Sequence, residues 1–515
     1  MTRSYPKLLY FSTAMALLGS LQFGFQIAIL NTSLDSVRES LNIPSSHGAV
    51  VVSTLLVGAL FGSLGAGNLA DKLGPKKATV FNAIPLALGS ILCATAPSEP
   101  LLLLGRLLAG IGTGAASLFV PRYLNEIAPN PIRGLLGTLN QILINIGIVV
   151  AFALGWPYEA NPSKTINLFG LYTLPWWRCM FAVGVVPAIL QAIGMALCPE
   201  TPVWLLWSGL HLQATKSYRA LHGSSAPSGS ELGAVGDVTI EGGEDDEQKS
   251  SIRNRGVTFD VNDNVEAPLL APNTAATTST RNAPGGIGAE EEPNGEEGSF
   301  TALLNPKYRR IMILAVGVVF QQQLSGINTV ILYGSEVFRT AGIASPILAN
   351  LVMGGINTTA TVVAAMLMDR TGRKLLLTLS FSGMAAALGL LAAFLVMPGI
   401  SDHFAALVAL GAIFIYTIFF ALGCGPVPWV YLPEILPAEI KGPAQALCTA
   451  INWFGNFLVG VSFPGMMHVL GLGGSYAVYA ALCCGSAVFC GKYMVETKQR
   501  SLAAVHAELM RSTSQ

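Results

Sequence analysis

Hydrophobic residues run along this chain in long blocks, with short polar breaks between them. Twelve blocks reach the roughly 20 residues that a helix needs to cross a bilayer. They lie at about 8–30, 48–70, 78–96, 101–124, 134–156, 176–198, 309–339, 345–368, 374–397, 403–432, 442–467 and 472–494. Their length argues for helices rather than strands, so the fold class read from the pattern is an all-α membrane protein. Two amphipathic stretches, 212–221 and 300–309, predict short helices outside the spans.

Repetition organises the blocks. Asp71-Lys-Leu-Gly74-Pro-Lys76-Lys77 returns as Asp369-Arg-Thr-Gly372-Arg373-Lys374. Glu126-Ile-Ala-Pro-Asn-Pro-Ile-Arg133-Gly134 returns as Glu434-Ile-Leu-Pro-Ala-Glu-Ile-Lys441-Gly442, and Pro199-Glu200-Thr201 returns as Val495-Glu496-Thr497. The offsets are 298, 308 and 296 residues. Collinear motifs at nearly one spacing mean two copies of one unit, with six spans each. The expected organisation is a first half over 1–210, a central loop over 211–307 and a second half over 308–515. Gly58-Ala-Leu-Phe-Gly62 and Gly110-Ile-Gly-Thr-Gly114 are spaced for close helix packing inside one molecule.

Composition sharpens the membrane reading: 52% of residues are hydrophobic, 11% are charged, and the mean hydropathy is +0.56. A soluble domain carries about 25% charged residues. The net charge of zero conceals a division. Residues 231–300 hold 15 acids and 4 bases, which leaves 25 bases and 14 acids elsewhere. Those bases follow the even-numbered spans and the termini, apart from Arg38, Lys164, Arg178 and Arg339. The positive-inside rule then puts both termini and the central loop in the cytosol. The acidic middle of that loop is too polar to fold alone and reads as a solvated tether. Eight cysteines without CxxC spacing read as packing residues. No catalytic constellation, metal set or cofactor motif is evident, and no nucleic-acid or obligate protein partner is implied. Only seven residues precede the first span, which reads as a retained helix rather than a cleaved presequence. Asn31-Thr-Ser fits a glycosylation sequon but ends a span, so a glycan is not expected there.

The duplicated charges all fall at cytosolic helix ends. Isolated exposed ion pairs contribute only about 0–1 kcal/mol, so topology anchoring is one reading. The duplication favours another, in which Asp71, Lys76, Lys77, Glu126, Arg133, Glu200, Asp369, Arg373, Lys374, Glu434, Lys441 and Glu496 form latches that hold one state of a moving bundle.

Inside the spans the polar residues are nearly all neutral: Gln22, Gln26, Gln141, Asn145, Gln321, Gln322, Gln323, Asn328, Asn357, Asn452 and Asn456. Gln141/Asn145 and Asn452/Asn456 are i,i+4 pairs that share a helix face. Trp429 follows Gly425-Pro-Val-Pro428, which disturbs span 10, and Gly326 offers a break in span 7. Amides donate and accept as sugar hydroxyls do, and an indole gives sugar C–H groups a flat apolar face. A neutral cavity of this kind suits a polyol. Proton coupling usually needs an intramembrane carboxylate or His, and Arg106 has Gln26 rather than an acid in the plausible facing position, so uniport is the expectation.

These residues resemble the sugar porters of the major facilitator superfamily. The likeness rests on Gly105-Arg106, Pro121-x-Tyr123-x-x-Glu126, Arg133-Gly134, Pro199-Glu-Thr-Pro-x-Trp-Leu205, Gln322-Gln-Leu-Ser-Gly-Ile-Asn328, Gly425-Pro-x-Pro-Trp429 and Val495-Glu-Thr-Lys498. Stretches are similar to animal facilitative and plastid glucose transporters. The resemblance implies the major facilitator fold, with two six-helix halves and short cytosolic helices. It implies a hexose held by Gln141, Gln322, Gln323, Asn328, Asn357, Trp429 and Asn452, with Asn456 nearby, and Tyr333 as a gate in span 7. It leaves a plasma membrane or a plastid envelope open. The rival readings are a proton–hexose symporter and a sugar sensor that signals through its central loop.

Overall fold

The computed structural model describes residues 5–161, 164–168, 172–223, 240–241, 251–254, 257–260, 300–397, 402–437, 439–500 and 502–511. The chain forms two units, Met1–Gly223 with Gly298–Gln515, and Ser224–Glu297. In the second, Ile240–Glu241, Ser251–Asn254 and Val257–Asp260 form an antiparallel sheet. The tether reading expects no regular structure there.

The first unit is a helical bundle. Span 1 is Lys7–Leu41, span 2 Gly48–Leu73, span 3 Pro75–Thr95, span 4 Glu99–Ile127 and span 5 Arg133–Gly155. Span 6 is Trp176–Val183 continued by Val185–Leu197. A two-stranded hairpin, Thr165–Leu168 against Tyr172–Pro175, precedes it and interrupts the expected all-helical pattern. Span 7 is Arg309–Leu324 and Ile327–Thr340, span 8 Pro346–Thr371 and span 9 Arg373–Val396. Span 10 is Asp402–Phe419, a π-helical turn Phe420–Cys424, and Val427–Ile435. Lys441–Tyr493 holds two helices that meet at a non-helical Gly471 (φ 68°, ψ 177°). At 1.5 Å per residue the two are about 45 and 33 Å long, and they supply spans 11 and 12. Eleven helices are long and apolar enough to cross a membrane, and this division makes twelve crossings among the described residues.

The paired glycines act within one molecule. A Cβ on Gly58 or Gly62 would run into the span 4 backbone at Leu107 and Ile111, and one on Gly110 or Gly114 into span 2 at Leu55 and Ala59. Spans 2 and 4 therefore meet backbone to backbone. The outward faces remain apolar: Ile193, Leu197, Met366 and Val488 are 59–71% exposed. Such a belt matches lipid rather than water. Of the short helices, 212–221 is found as His211–His222, whereas 300–309 gives two 3₁₀ turns, Phe300–Leu304 and Pro306–Tyr308. Pro306 lacks the N–H that a continuous helix would need.

Candidate substrate site and its latches

The two ends of the bundle differ. One, called here the basic end, carries the duplicated motifs; the other carries the hairpin at 165–175.

At the basic end each half builds an acid cluster on one plan. Thr201 Oγ1 donates to Glu126 Oε2, and Thr497 Oγ1 donates to Glu434 Oε2 at 2.6 Å. The Tyr123 hydroxyl donates to Pro199 O and that of Tyr431 to Val495 O, both at 3.0 Å. Glu200 and Glu496 lie beneath the first turns of spans 3 and 9, accepting from the backbone N–H of Lys76 (2.8 Å) and Lys374 (3.1 Å). A helix N-terminus favours an anion there. The duplicated glycines make room: Gly74 (φ 89°) and Gly372 (φ 90°) lie in the left-handed region, and a Cβ on either would strike the carboxylate.

Of the predicted latch bases Arg373 carries an ion pair, to an acid of the predicted set, while in the first half the countercharge comes from Arg122, outside that set. Arg122 meets Asp71 at 2.6 Å and Glu126 at 2.9 Å, and Arg373 meets Glu434 at 2.9 Å. Lys76 and Lys374 contribute main-chain N–H groups. Lys77 follows Lys76 in the first turn of span 3. Arg133 and Lys441 open spans 5 and 11 without an ion pair among the described residues, and Arg133 Nε is buried without a partner. The side chain of Asp369 lies outside the described residues. Arg122 was legible only as a base four residues before Glu126. The bonds of these acid clusters each lie within one half, while deeper in the bundle Trp453 Nε1 of span 11 donates to Ser117 Oγ of span 4 at 3.3 Å.

The hairpin end is tied across the halves. Asn31 Nδ2 donates to Val330 O (3.1 Å) and Ile331 O (2.8 Å), and its Oδ1 accepts from Ser335 N–H, Ser335 Oγ (each 2.8 Å) and Asn350 Nδ2 (3.3 Å). Arg339 pairs with Asp35 at 2.9 Å. Tyr333 has non-helical φ/ψ (−125°, 16°), and its hydroxyl donates to Gly460 O at 2.6 Å. Span 7 thus bends at Gly326 (φ 85°) and again at Tyr333.

Between the ends lie the amides, in two groups. In the second half they form a chain. Asn328 Nδ2 donates to Gln323 Oε1, Gln323 Nε2 to Asn452 Oδ1 (3.0 Å), and Asn452 Nδ2 to Gln322 Oε1 (2.8 Å). Gln322 Nε2 donates to Cys424 O (2.7 Å) and Gly425 O (2.9 Å). Pro428 has no N–H to return to Cys424 O, so this side chain satisfies the carbonyl that the break leaves free. Half-buried Trp429 follows the same break. Asn456 shares the Asn452 face, and its Oδ1 is buried without a partner.

The other group joins the halves. Asn145 Oδ1 accepts from Asn357 Nδ2 (3.2 Å) and Gln141 Nε2 (3.4 Å), while Asn145 Nδ2 donates to Thr361 Oγ1 (2.9 Å). Asn357 Oδ1 is buried without a partner. The structure thus brings Gln322, Gln323, Asn328 and Asn452 into one network, and Gln141 and Asn357 into a second. Thr361 was missed, because an isolated span threonine has no pattern. Gln26 lies apart from both: its Nε2 donates to Ser90 Oγ (2.7 Å), and its backbone oxygen accepts from Arg106 Nη1 (3.0 Å). Arg106 is fully buried, with Nε and Nη2 unpartnered.

Known proteins are similar to this chain in sequence and in fold. The family model described as "Sugar (and other) transporter" matches residues 12–237 and 286–509. Plastidic glucose transporter 4 of Arabidopsis thaliana is 35% identical over 497 residues, covering 96% of this chain and 79% of the relative. Glucose transporter GlcP of Staphylococcus epidermidis is 28% identical, covering 98% of both. A structure of the proton:xylose symporter XylE bound to 6-bromo-6-deoxy-D-glucose superimposes with a TM-score of 0.72 at 25% identity, covering 97% of this chain and 99% of that one. The chain is a multi-pass membrane protein with the major facilitator fold, and it belongs to the sugar (and other) transporter family.

Proposed function

We propose that this protein carries glucose or a similar hexose across the membrane by alternating access, as a facilitative uniporter and not as an enzyme. One observation carries the substrate class: two uncharged amide networks lie in the bundle, one of them between the halves. Gln141, Gln322, Gln323, Asn328, Asn357, Trp429, Asn452 and Asn456 form the proposed sugar site. The glucose transporters among its relatives support that substrate. The rule that bases face the cytosol makes the basic end, both termini and the central segment cytosolic. The bundle, tied at the hairpin end, then faces inward, with Tyr333 as the outer gate and the acid clusters as inner latches. Boundaries at 1–210, 211–307 and 308–515 fit this scheme.

Uniport rests on Gln26 and Arg106. A carboxylate beside that arginine would supply a site for a coupled proton; here the arginine holds a main-chain oxygen and the glutamine a serine. The competing reading, proton–hexose symport, draws on XylE, described as a proton:xylose symporter. Glucose uptake into proteoliposomes separates them: uniport predicts uptake that a protonophore leaves unchanged, and collapse with the sugar gradient intact would overturn it. Gln323→Ala and Asn328→Ala are expected to lower uptake about tenfold or more with the protein still in the membrane, since each strips a buried partner worth roughly 1–3 kcal/mol. Wild-type uptake in both would remove this site.

A further inference from the structure

We propose that Asn145 takes the place of a sugar hydroxyl in the unloaded carrier and so allows it to return; this rests on the hexose-transport reading above. Asn145 is only 2% exposed and sits on span 5, one turn from Gln141. Its Oδ1 accepts from the amide groups of Gln141 and Asn357, two proposed sugar ligands from opposite halves. Its Nδ2 reaches a second group on span 8, the Thr361 hydroxyl, which in turn donates to Asn357 O at 2.8 Å. One neutral side chain therefore joins the first half to the second within the amide site.

A carrier that moves net sugar must swing back unloaded. On that return its amide donors close on one another in a water-poor interior, where an unpartnered polar group is costly. Asn145 supplies the missing acceptor from within the protein. The replacement is partial, because it leaves Asn357 Oδ1 buried without a donor. A hexose, whose hydroxyls both donate and accept, satisfies Gln141 and both ends of Asn357 at once, so it displaces Asn145. The knot is made when sugar is absent and broken when sugar is bound, which makes Asn145 a positioning residue of the return step.

The test compares two fluxes of glucose in proteoliposomes holding the whole protein: net uptake into sugar-free vesicles, which requires the unloaded return, and equilibrium exchange, which does not. Asn145→Leu is expected to cut net uptake about tenfold while exchange stays within twofold and the exchange KM does not rise; raising the return barrier by about 1.4 kcal/mol slows it by a factor of ten. Thr361→Val should act in the same direction and less. Asn145→Ser, which keeps an acceptor, should recover part of the net flux. Net uptake and exchange falling together in all three variants would overturn the proposal in favour of a packing role. A raised exchange KM with an unchanged flux ratio would overturn it in favour of a plain sugar contact. Wild-type vesicles that move no hexose would overturn the transport reading and this inference with it.

Discussion

Glu200 and Glu496 hold equivalent places in the two halves, yet they are served differently. Glu496 accepts N–H groups from Arg373 (2.9 Å), Lys374 (3.1 Å), Thr497 and Lys498 (3.0 Å each), shared over both oxygens. Glu200 accepts from Lys76 (2.8 Å) and Thr201 (3.1 Å) on Oε1 alone, and Oε2 is buried without a partner. One residue explains much of the difference. Where span 9 opens on Arg373, span 3 opens on Pro75, which has no N–H to give. Proline at the first helical position suits the helix, but it removes a donor from the acid below. The arginines also differ. Glu434 is neutralised by Arg373 at the head of span 9, and Glu126 by Arg122 from its own helix. Two copies of one motif can thus keep a geometry while changing which residue carries the charge.

The carboxyls titrate in opposite senses. Burial pushes Glu200 up, its main-chain N–H donors offset this in part, and the Glu126 charge adds to the rise. Burial also pushes Glu496 up, but the N–H groups of Arg373, Lys498, Lys374 and Thr497 outweigh it and hold the carboxyl below the usual range.

The comparison breaks most forcefully at the glycines. Gly372→Ala should destabilise the detergent-solubilised protein by about 2–4 kcal/mol, through a left-handed backbone and a methyl driven into Glu496. Gly74→Ala should cost less, because Glu200 has fewer bonds to lose; equal losses in thermal unfolding would refute the asymmetry. Next, Glu496→Gln should cost about 1–3 kcal/mol at neutral pH, whereas Glu200→Gln should be near neutral or stabilising.

The pH dependence follows from the signs. A lowered acid such as Glu496 adds stability above its unfolded pKa, and that stability is lost as pH falls through the folded value. A raised acid such as Glu200 adds stability below its unfolded pKa, and that is lost as pH rises through the folded value. Glu496→Gln should therefore flatten the acid side of a stability profile, and Glu200→Gln should remove a fall in stability as pH rises toward neutral; matching profiles would contradict the assignment. The smallest effect is expected from Pro75→Arg. It restores the missing N–H and should stabilise the protein at neutral pH by about 0.5–1.5 kcal/mol. No gain would mean that Glu200 cannot shift to take the new bond.

Much of the fold was legible because its signals are local. A block of 20 apolar residues forms a helix in lipid whatever surrounds it, and the Gly326 and Pro426–Pro428 breaks announce themselves by residue type. The hairpin at 165–175 and the joining of spans 11 and 12 were not legible, since neither alters the hydrophobic pattern. At the latches the acids could be read, as they repeat, but not their partners. Arg122 occurs in one half only, and a main-chain N–H, as at Lys76, has no letter of its own. The amides were readable as a set, yet their pairing was not. Gln322 links Asn452 to the span 10 backbone, while Gln323, one residue on, links Asn452 to Asn328.

The break at Gly471 bears on how the chain is made. Ala446 approaches Gly67, near the basic end of span 2, and Gly473 packs on Leu395 and Val396 at the far end of span 9. The helix resumes directly after its reversal and reaches Tyr493 back at the basic end. Spans 11 and 12 therefore share a turn with no polar loop on the far side. With so short a turn the last two crossings are expected to enter the bilayer together, as one helical hairpin, during biosynthesis.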